Sequence, residues 1–175
     1  FGLEDFTQIN REINQKMVAY VLELLEIQSN EKILDLFCGI GNFTFPIATK
    51  CAEVVGVEGG ENAIIRAKEN AEHNNIKNAE FHCVDLTKDL SGLPWAQQKY
   101  DKILLDPPRT GAQEICSQIK KFGAKKIVYV SCNHATFARD AKELVSNGYK
   151  LQSARMVDMF PHTSHLEIIA DFVRK

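Results

Sequence analysis

Five short, mainly apolar runs succeed one another along this chain, and their spacing restricts the fold more than any other feature. They are 32–37 (KILDLF), 54–57 (VVGV), 81–84 (FHCV), 102–105 (KILL) and 127–130 (IVYV). Such runs are too short for buried helices and read as buried strands. Helical-period segments lie between and around them. Ala63, Ile64, Ala67 and Ala71 share one stripe, and Ala112, Ile115, Ile119 and Phe122 another. Phe137, Ala141, Leu144 and Val145 make a third, and Ile13, Met17, Val21 and Leu24 mark a helix over 9–25. Strands alternating with helices predict a doubly wound, Rossmann-like α/β fold with a mostly parallel sheet covered on both faces. Two further strands are expected near 155–160 and 166–173, antiparallel at the end of the chain. With 175 residues, 45% hydrophobic and 25% charged, one domain spanning 1–175 accounts for the whole sequence.

Open parallel sheets bind ligands beyond the carboxyl ends of their strands. The first run ends in a glycine turn, Gly39-Ile40-Gly41, the second at Glu58 and the third at Asp85. The fourth ends at Asp106-Pro107-Pro108 and the fifth at Ser131-Cys132-Asn133. Loops are polar in general, but that explains one or two such constellations rather than five.

Gly39 and Gly41 would let a ligand approach the backbone, yet the third glycine of a dinucleotide fingerprint is replaced by Thr44. Glu58, 17 residues beyond Gly41, can accept hydrogen bonds from both hydroxyls of a ribose, and Asp85 can reach an adenine amino group. A nucleoside held without a pyrophosphate cradle suggests S-adenosylmethionine rather than NAD. Two reactions remain open on the residues alone. Asp106-Pro107-Pro108-Arg109 suits an amino-group methyltransferase whose acid-Pro-Pro loop holds an exocyclic amine. Cys132, at a strand end ahead of a helical stretch, suits a nucleophile, because the positive end of a helix can lower a thiol pKa.

Seven segments in order narrow the choice: FTQIN (6–10), DLFCGIGNFTFPIA (35–48), VVGVE (54–58), DKILLDPPRTGA (101–112), VYVSCN (128–133), FARD (137–140) and DMFPHTSHLE (158–167). Together they resemble the uracil-C5 RNA methyltransferases over nearly the whole chain, and most closely the branch that modifies 23S ribosomal RNA. The resemblance implies the class I S-adenosylmethionine-dependent fold. It implies Cys132 as nucleophile and Glu167 as general base. Gln8, Phe37, Asn42, Glu58, Asp85 and Asp106, with the glycine turn at Gly39 and Gly41, would hold the cofactor or face the target base. The alternatives it leaves are the tRNA uridine-C5 enzyme and the amino-group methyltransferase. Phe6, Phe43 and Phe160 are candidate stacking surfaces for the base, although core positions suit each better.

The remaining expectations concern setting and partners. The formal charge of −2 gives no global basic footprint for RNA, and the lysines at 120, 121, 125 and 126 read as a solvated face. Five cysteines without a C-x-x-C pair argue against a metal within this chain and for a reducing, cytoplasmic setting. No run approaches the roughly 20 apolar residues of a membrane span, no signal sequence opens the chain, and no obligate protein partner is implied. Family members carry an N-terminal RNA-binding domain of OB-like type, often with an iron–sulfur cluster. A start at Phe1 without Met fits a catalytic domain lacking that region. The family usually has proline after S-C-N, where this chain has His134.

Overall fold

The computed structural model describes residues 3–158 and 166–175, with side chains from residue 11 onward. Helix α1 (Leu3–Leu25) precedes strand β1 (Lys32–Leu36), a short α2 (Thr44–Ala48), β2 (Glu53–Glu58), α3 (Glu61–His73) and β3 (Ala79–Cys83). Then come β4 (Lys102–Leu105), α4 (Gln113–Gln118), β5 (Lys126–Ser131), α5 (His134–Ser146), β6 (Tyr149–Asp158) and β7 (Leu166–Arg174). The strands form one sheet in the order β3-β2-β1-β4-β5-β7-β6. β1 to β5 are parallel, and β7 runs antiparallel to both β5 and β6. The chain winds outward from β1 in one direction and from β4 in the other. A crevice therefore opens between the carboxyl ends of β1 and β4.

All five expected runs contribute to strands, and burial on both faces explains why β1, β2, β4 and β5 do not alternate apolar with polar residues. The 81–84 run is not a buried strand, because β3 is an edge strand in which only Phe81 is buried. β4 and β5 are buried at every position. Ile64, Ala67 and Ala71 of α3 are buried, as are Val21 and Leu25 of α1. Two boundaries differ from expectation. The helix read across Ala112 to Phe122 is α4 followed by a tighter 3₁₀ turn, Ile119–Phe122, which stops at Gly123 in the left-handed region. Its four apolar residues are nonetheless all buried. β6 starts at Tyr149, earlier than its sequence suggested, because this edge strand is largely solvent-exposed and lacks an apolar run. The lysine cluster splits. Lys120 and Lys125 are exposed, while Lys121 lies over the Phe122 ring and Lys126 is buried.

The carboxyl end of α1 is tied to the amino-terminal edge of the sheet by two buried lysines. Lys126 Nζ donates to Leu24 O at 2.7 Å and pairs with Asp171 at 3.5 Å. Lys102 Nζ donates to Glu26 O and pairs with Glu31 at 2.9 Å. Cations there satisfy helix carbonyls that have no partner within the helix. Lys126→Ala should destabilise the chain by about 3 kcal/mol, because the buried Asp171 carboxylate loses its cation and keeps only the Ser153 hydroxyl among the described residues, while the helix-end carbonyl loses its donor. A thermal melt within a degree of wild type would show that the tie contributes nothing.

Candidate active site

The five polar constellations converge on the carboxyl edge of the sheet. At the end of β1 the backbone reverses. Phe37 takes φ 64°, a left-handed conformation that non-glycine residues adopt at a cost, and its N–H and that of Cys38 both bond Val57 O. Gly41 has φ 96°, and a Cβ there would lie 2.5 Å from the Phe45 ring, so only glycine fits. The turn leaves Gly39 open to a ligand, with no atom within 4 Å of where its Cβ would be.

Glu58 braces this turn. Its Oε2 accepts from Gly39 N at 3.1 Å and its Oε1 from Gly60 N at 2.9 Å. A carboxylate has about four acceptor positions, so two remain for a ligand's hydroxyls. Asp85 is exposed after β3, its Oδ1 taking the Thr87 amide at 3.0 Å and hydroxyl at 2.7 Å. Those bonds hold its carboxyl below the usual range. Phe37, Glu58, Asp85, Leu86, Asp106 and Pro107 are among the residues lining a cavity of about 380 Å³. A larger groove, about 500 Å³, lies against the carboxyl end of α1 and contains none of these constellations.

Asp106 and Asp35 are the electrostatic centre of the crevice. Burial pushes Asp106 up to about 8, helped by the negative Asp35, Glu167 and Glu58. Asp35 is fully buried. Its carboxyl is raised to about 7 by burial, against a 2.5 Å hydrogen bond from the Thr44 hydroxyl, while its Oδ1 has no partner among the described residues. So many acids in one crevice would repel a pyrophosphate and attract a cation. An apolar wall from Phe37 and Leu86, a carboxylate with spare acceptors and buried carboxyls that a positive charge would help to ionise fit a cationic nucleoside such as S-adenosylmethionine.

Cys132 follows β5, and Glu167 is the second residue of β7. In the antiparallel ladder Ser131 pairs with Ile168. The next positions outward are Cys132 and Glu167, so the pairing brings the two together at the mouth. Asn133 caps α5 by accepting from Ala135 N at 3.0 Å and Thr136 N at 3.3 Å. Ser131 Oγ closes the turn around Cys132, donating to Asn133 O at 2.9 Å. α5 therefore starts at His134 without a proline. One electrostatic expectation fails. The Cys132 thiol is raised rather than lowered, by burial first and then by Glu167, with Arg109 the main opposing charge.

Asn42 exchanges reciprocal amide hydrogen bonds with Asn14 of α1, at 2.9 and 3.0 Å. Sequence reasoning passed over Asn14, because a lone polar residue on a helix gives no signal of a partner 28 positions away. The backbone of Gln8 lies in α1, but its side chain is outside the described residues, as is that of Phe6. Phe160 and most of DMFPHTSHLE also lie outside them. Phe43 is buried and offers no stacking face. Among the described residues no cluster of three or more His, Cys, Asp or Glu is arranged to hold a metal. No described helix is long and apolar enough to cross a membrane. All five cysteines are free thiols.

This strand order, with a carboxylate-lined crevice at the carboxyl edge, is that of a class I S-adenosylmethionine-dependent methyltransferase fold. Magnesium protoporphyrin IX methyltransferase from Synechocystis superposes with a TM-score of 0.72 over 98% of this chain and 83% of its own, at 18% identity, a likeness of fold alone. More specifically, the sequence model of the tRNA (uracil-5-)-methyltransferase family matches residues 2–172, and the chain belongs to that family. It is 56% identical over 172 residues to the 23S rRNA (uracil(1939)-C(5))-methyltransferase RlmD of Alcanivorax borkumensis, covering 98% of this chain and 39% of that protein. Against RlmD of Vibrio cholerae the identity is 52%, over 97% and 39%. The tRNA (uracil-54, C5)-methyltransferase of Pyrococcus abyssi, solved with S-adenosyl-L-homocysteine, is 34% identical with a TM-score of 0.77, covering 91% of this chain and 38% of that one. The chain thus spans about two fifths of the curated relatives' length.

The raised carboxyls set a pH dependence. Asp35 and Asp106 favour the protonated form in the folded chain, so the stability they contribute is complete below about pH 4. It is lost as pH rises through about 7 and 8. Without ligand, the melting temperature should fall between pH 5 and 8.5, and Asp106→Asn should flatten the upper part of that fall. A variant with the wild-type slope would contradict the assignment.

Proposed function

We propose that this chain is the catalytic domain of an S-adenosylmethionine-dependent RNA (uracil-C5)-methyltransferase acting on a uridine of 23S ribosomal RNA. The observation that carries the reading is the meeting of Cys132 with Glu167 across β5 and β7, beside Asp106 and the Phe37–Glu58–Asp85 cavity. The ribosomal branch is favoured over the tRNA branch by 51–56% identity to the RlmD proteins, against 34% to the tRNA enzyme of solved structure. A surrounding that keeps thiols reduced, as the cytoplasm does, suits the five free cysteines.

Gln8, Phe37, Gly39, Gly41, Asn42, Glu58, Asp85 and Asp106 would hold the cofactor or the base, with Glu58 on the ribose and Asp85 toward the adenine. Bound there, S-adenosylmethionine supplies an electrophilic methyl group on a sulfonium. The chain's own residues answer the chemical difficulty, which is that uracil C5 is a poor nucleophile. Cys132, as thiolate, adds to C6 and sends the ring's π electrons toward O4, making an enolate whose C5 accepts the methyl. Glu167 then takes the C5 proton, the C5=C6 bond re-forms, and the Cys132 thiolate is expelled. The base reaches the crevice unpaired or flipped from its stack. An amino-group transfer through the Asp106 loop needs no thiol, so trapping separates the two chemistries.

Cys132→Ala should abolish methyl transfer and covalent capture of a 5-fluorouridine RNA, with cofactor binding retained in calorimetry. Appreciable turnover by that variant would end the adduct mechanism. Glu167→Gln should complete addition and methyl transfer and then stall, so methylated RNA attached to the protein accumulates on denaturing gels. Free methylated product at the wild-type rate would remove Glu167 from the role of base. Competing a 23S-derived hairpin against a tRNA stem-loop for methylation decides the substrate branch.

A further inference from the structure

Within FARD, Arg139 and Asp140 lie seven and eight residues beyond Cys132, on the helix that Cys132 leads into. Asp140 is fully buried, which for a carboxylate demands compensation. It accepts three hydrogen bonds and takes one further ion-pair contact. Tyr129 Oη and the Ala112 amide each donate to Oδ2 at 2.6 Å, and Arg139 Nε and Nη2 reach Oδ1 at 2.9 Å. The same guanidinium donates through Nη2 to Thr110 O at 2.8 Å, and one turn earlier Thr136 Oγ1 donates to Arg109 O at 3.0 Å. Three consecutive side-chain positions on one face of α5 thus grip the backbone at Arg109, Thr110 and Ala112. Gly111 lies between them at φ 78°, where a Cβ would meet Asp140 Oδ2 at 2.5 Å and Arg139 Nη2 at 2.6 Å. The close approach needs a glycine.

We infer that Thr136, Arg139 and Asp140 form a clamp through which α5 fixes the Asp106–Ala112 loop, and with it the Arg109 guanidinium, relative to Cys132. Both partners are set from one rigid element. The cysteine is fixed by the Asn133 cap at the start of α5, and the loop by the first two turns of its side chains. Neither Arg139 nor Asp140 is placed to touch substrate, so they are positioning residues. The inference deepens the proposed chemistry and rests on it only for its consequence, the availability of the thiolate. The charged groups acting on Cys132 are Glu167 from β7 and Asp106 and Arg109 from the loop after β4, and the titratable ring of His134 lies two residues on, at the start of α5. Of those affecting the thiol, Arg109 is the one that favours the thiolate. Loosening the loop weakens that influence and leaves the opposing carboxylates in place.

The test is the pH profile of Cys132 alkylation by iodoacetamide in the full-length native protein, read by peptide mass, which needs no RNA. Asp140→Asn should move the midpoint up by about half to one unit, so that alkylation near pH 7.5 slows about three- to tenfold. Thr136→Val and Arg139→Lys should shift it in the same direction by less. They carry the test if Asp140→Asn does not fold, with cofactor binding as the check of a formed crevice. In an Arg109→Gln background the same substitutions should add no further shift, since their effect runs through that guanidinium. Unchanged midpoints in folded variants would overturn the clamp. Equal shifts with and without Arg109 would also overturn it, by revealing general loosening. If the midpoints move as expected while the wild-type protein captures no 5-fluorouridine RNA, the clamp stands and the uridine chemistry falls.

Discussion

The antiparallel insertion of β7 between β5 and β6 is the constraint on which the site depends. A purely parallel sheet would deliver its strand ends to one edge and its strand starts to the other, leaving no later strand to begin at the ligand edge. Because β7 runs backwards, its first residues arrive where β5 finishes. The ladder that fixes Ile168 opposite Ser131 places Glu167 and Cys132 at the next positions outward, close enough for the carboxylate to act on the thiol. A register slip of one residue would turn every side chain of β7 to the other face. That would take Ile169 away from Val128 and Val130 and take Ile168, Ala170 and Phe172 out of the cluster on the opposite face, so packing in both core layers enforces the register that brings the two proposed catalytic groups near each other.

Charge is distributed along the strands in the same sense. Lys32, Lys102 and Lys126 open β1, β4 and β5 at the amino-terminal edge, where they meet Glu53, Glu31, Glu26 and Asp171. Asp35, Glu58, Asp106 and Glu167 collect at the carboxyl edge. A net charge of −2 conceals this polarity. An acidic crevice favours a cationic methyl donor and disfavours an RNA backbone, so the exposed Arg109 acquires weight beyond its number. The clamp on the Arg109 loop follows from the same need, because a single exposed guanidinium offsets several carboxylates only while it is held in place.

Much of this was legible in the sequence. The five parallel strands, their order relative to the helices and the polar residue at each strand end could all be read there. For the four buried ones this follows because a buried parallel strand must be apolar on both faces and its ligand edge must not be, while the edge strand β3 buries only Phe81. The exposed edge strand β6 was read late, because it buries little. The break from α4 into a 3₁₀ turn was not visible, because the apolar positions remain buried through the change of helix type. The expectation of a lowered Cys132 thiol failed because it weighed the helix end alone. Burial and the opposing Glu167 carboxylate come from a strand some 35 residues away and outweigh it.

What the sequence determined by itself was therefore the class of fold, the edge that binds, and the residue types available there. Hydrophobic period and turn chemistry are local properties, written within a few residues of where they act. What only the tertiary structure decided was which groups meet: Cys132 with Glu167, Asn42 with Asn14, and Asp140 with Tyr129 and the Ala112 amide. Those pairings, and the carboxyls of Asp35 and Asp106 that burial lifts toward neutrality, depend on register, helix docking and exclusion of water. Such effects exist only once distant segments share one interior, and no stretch of the chain carries them alone.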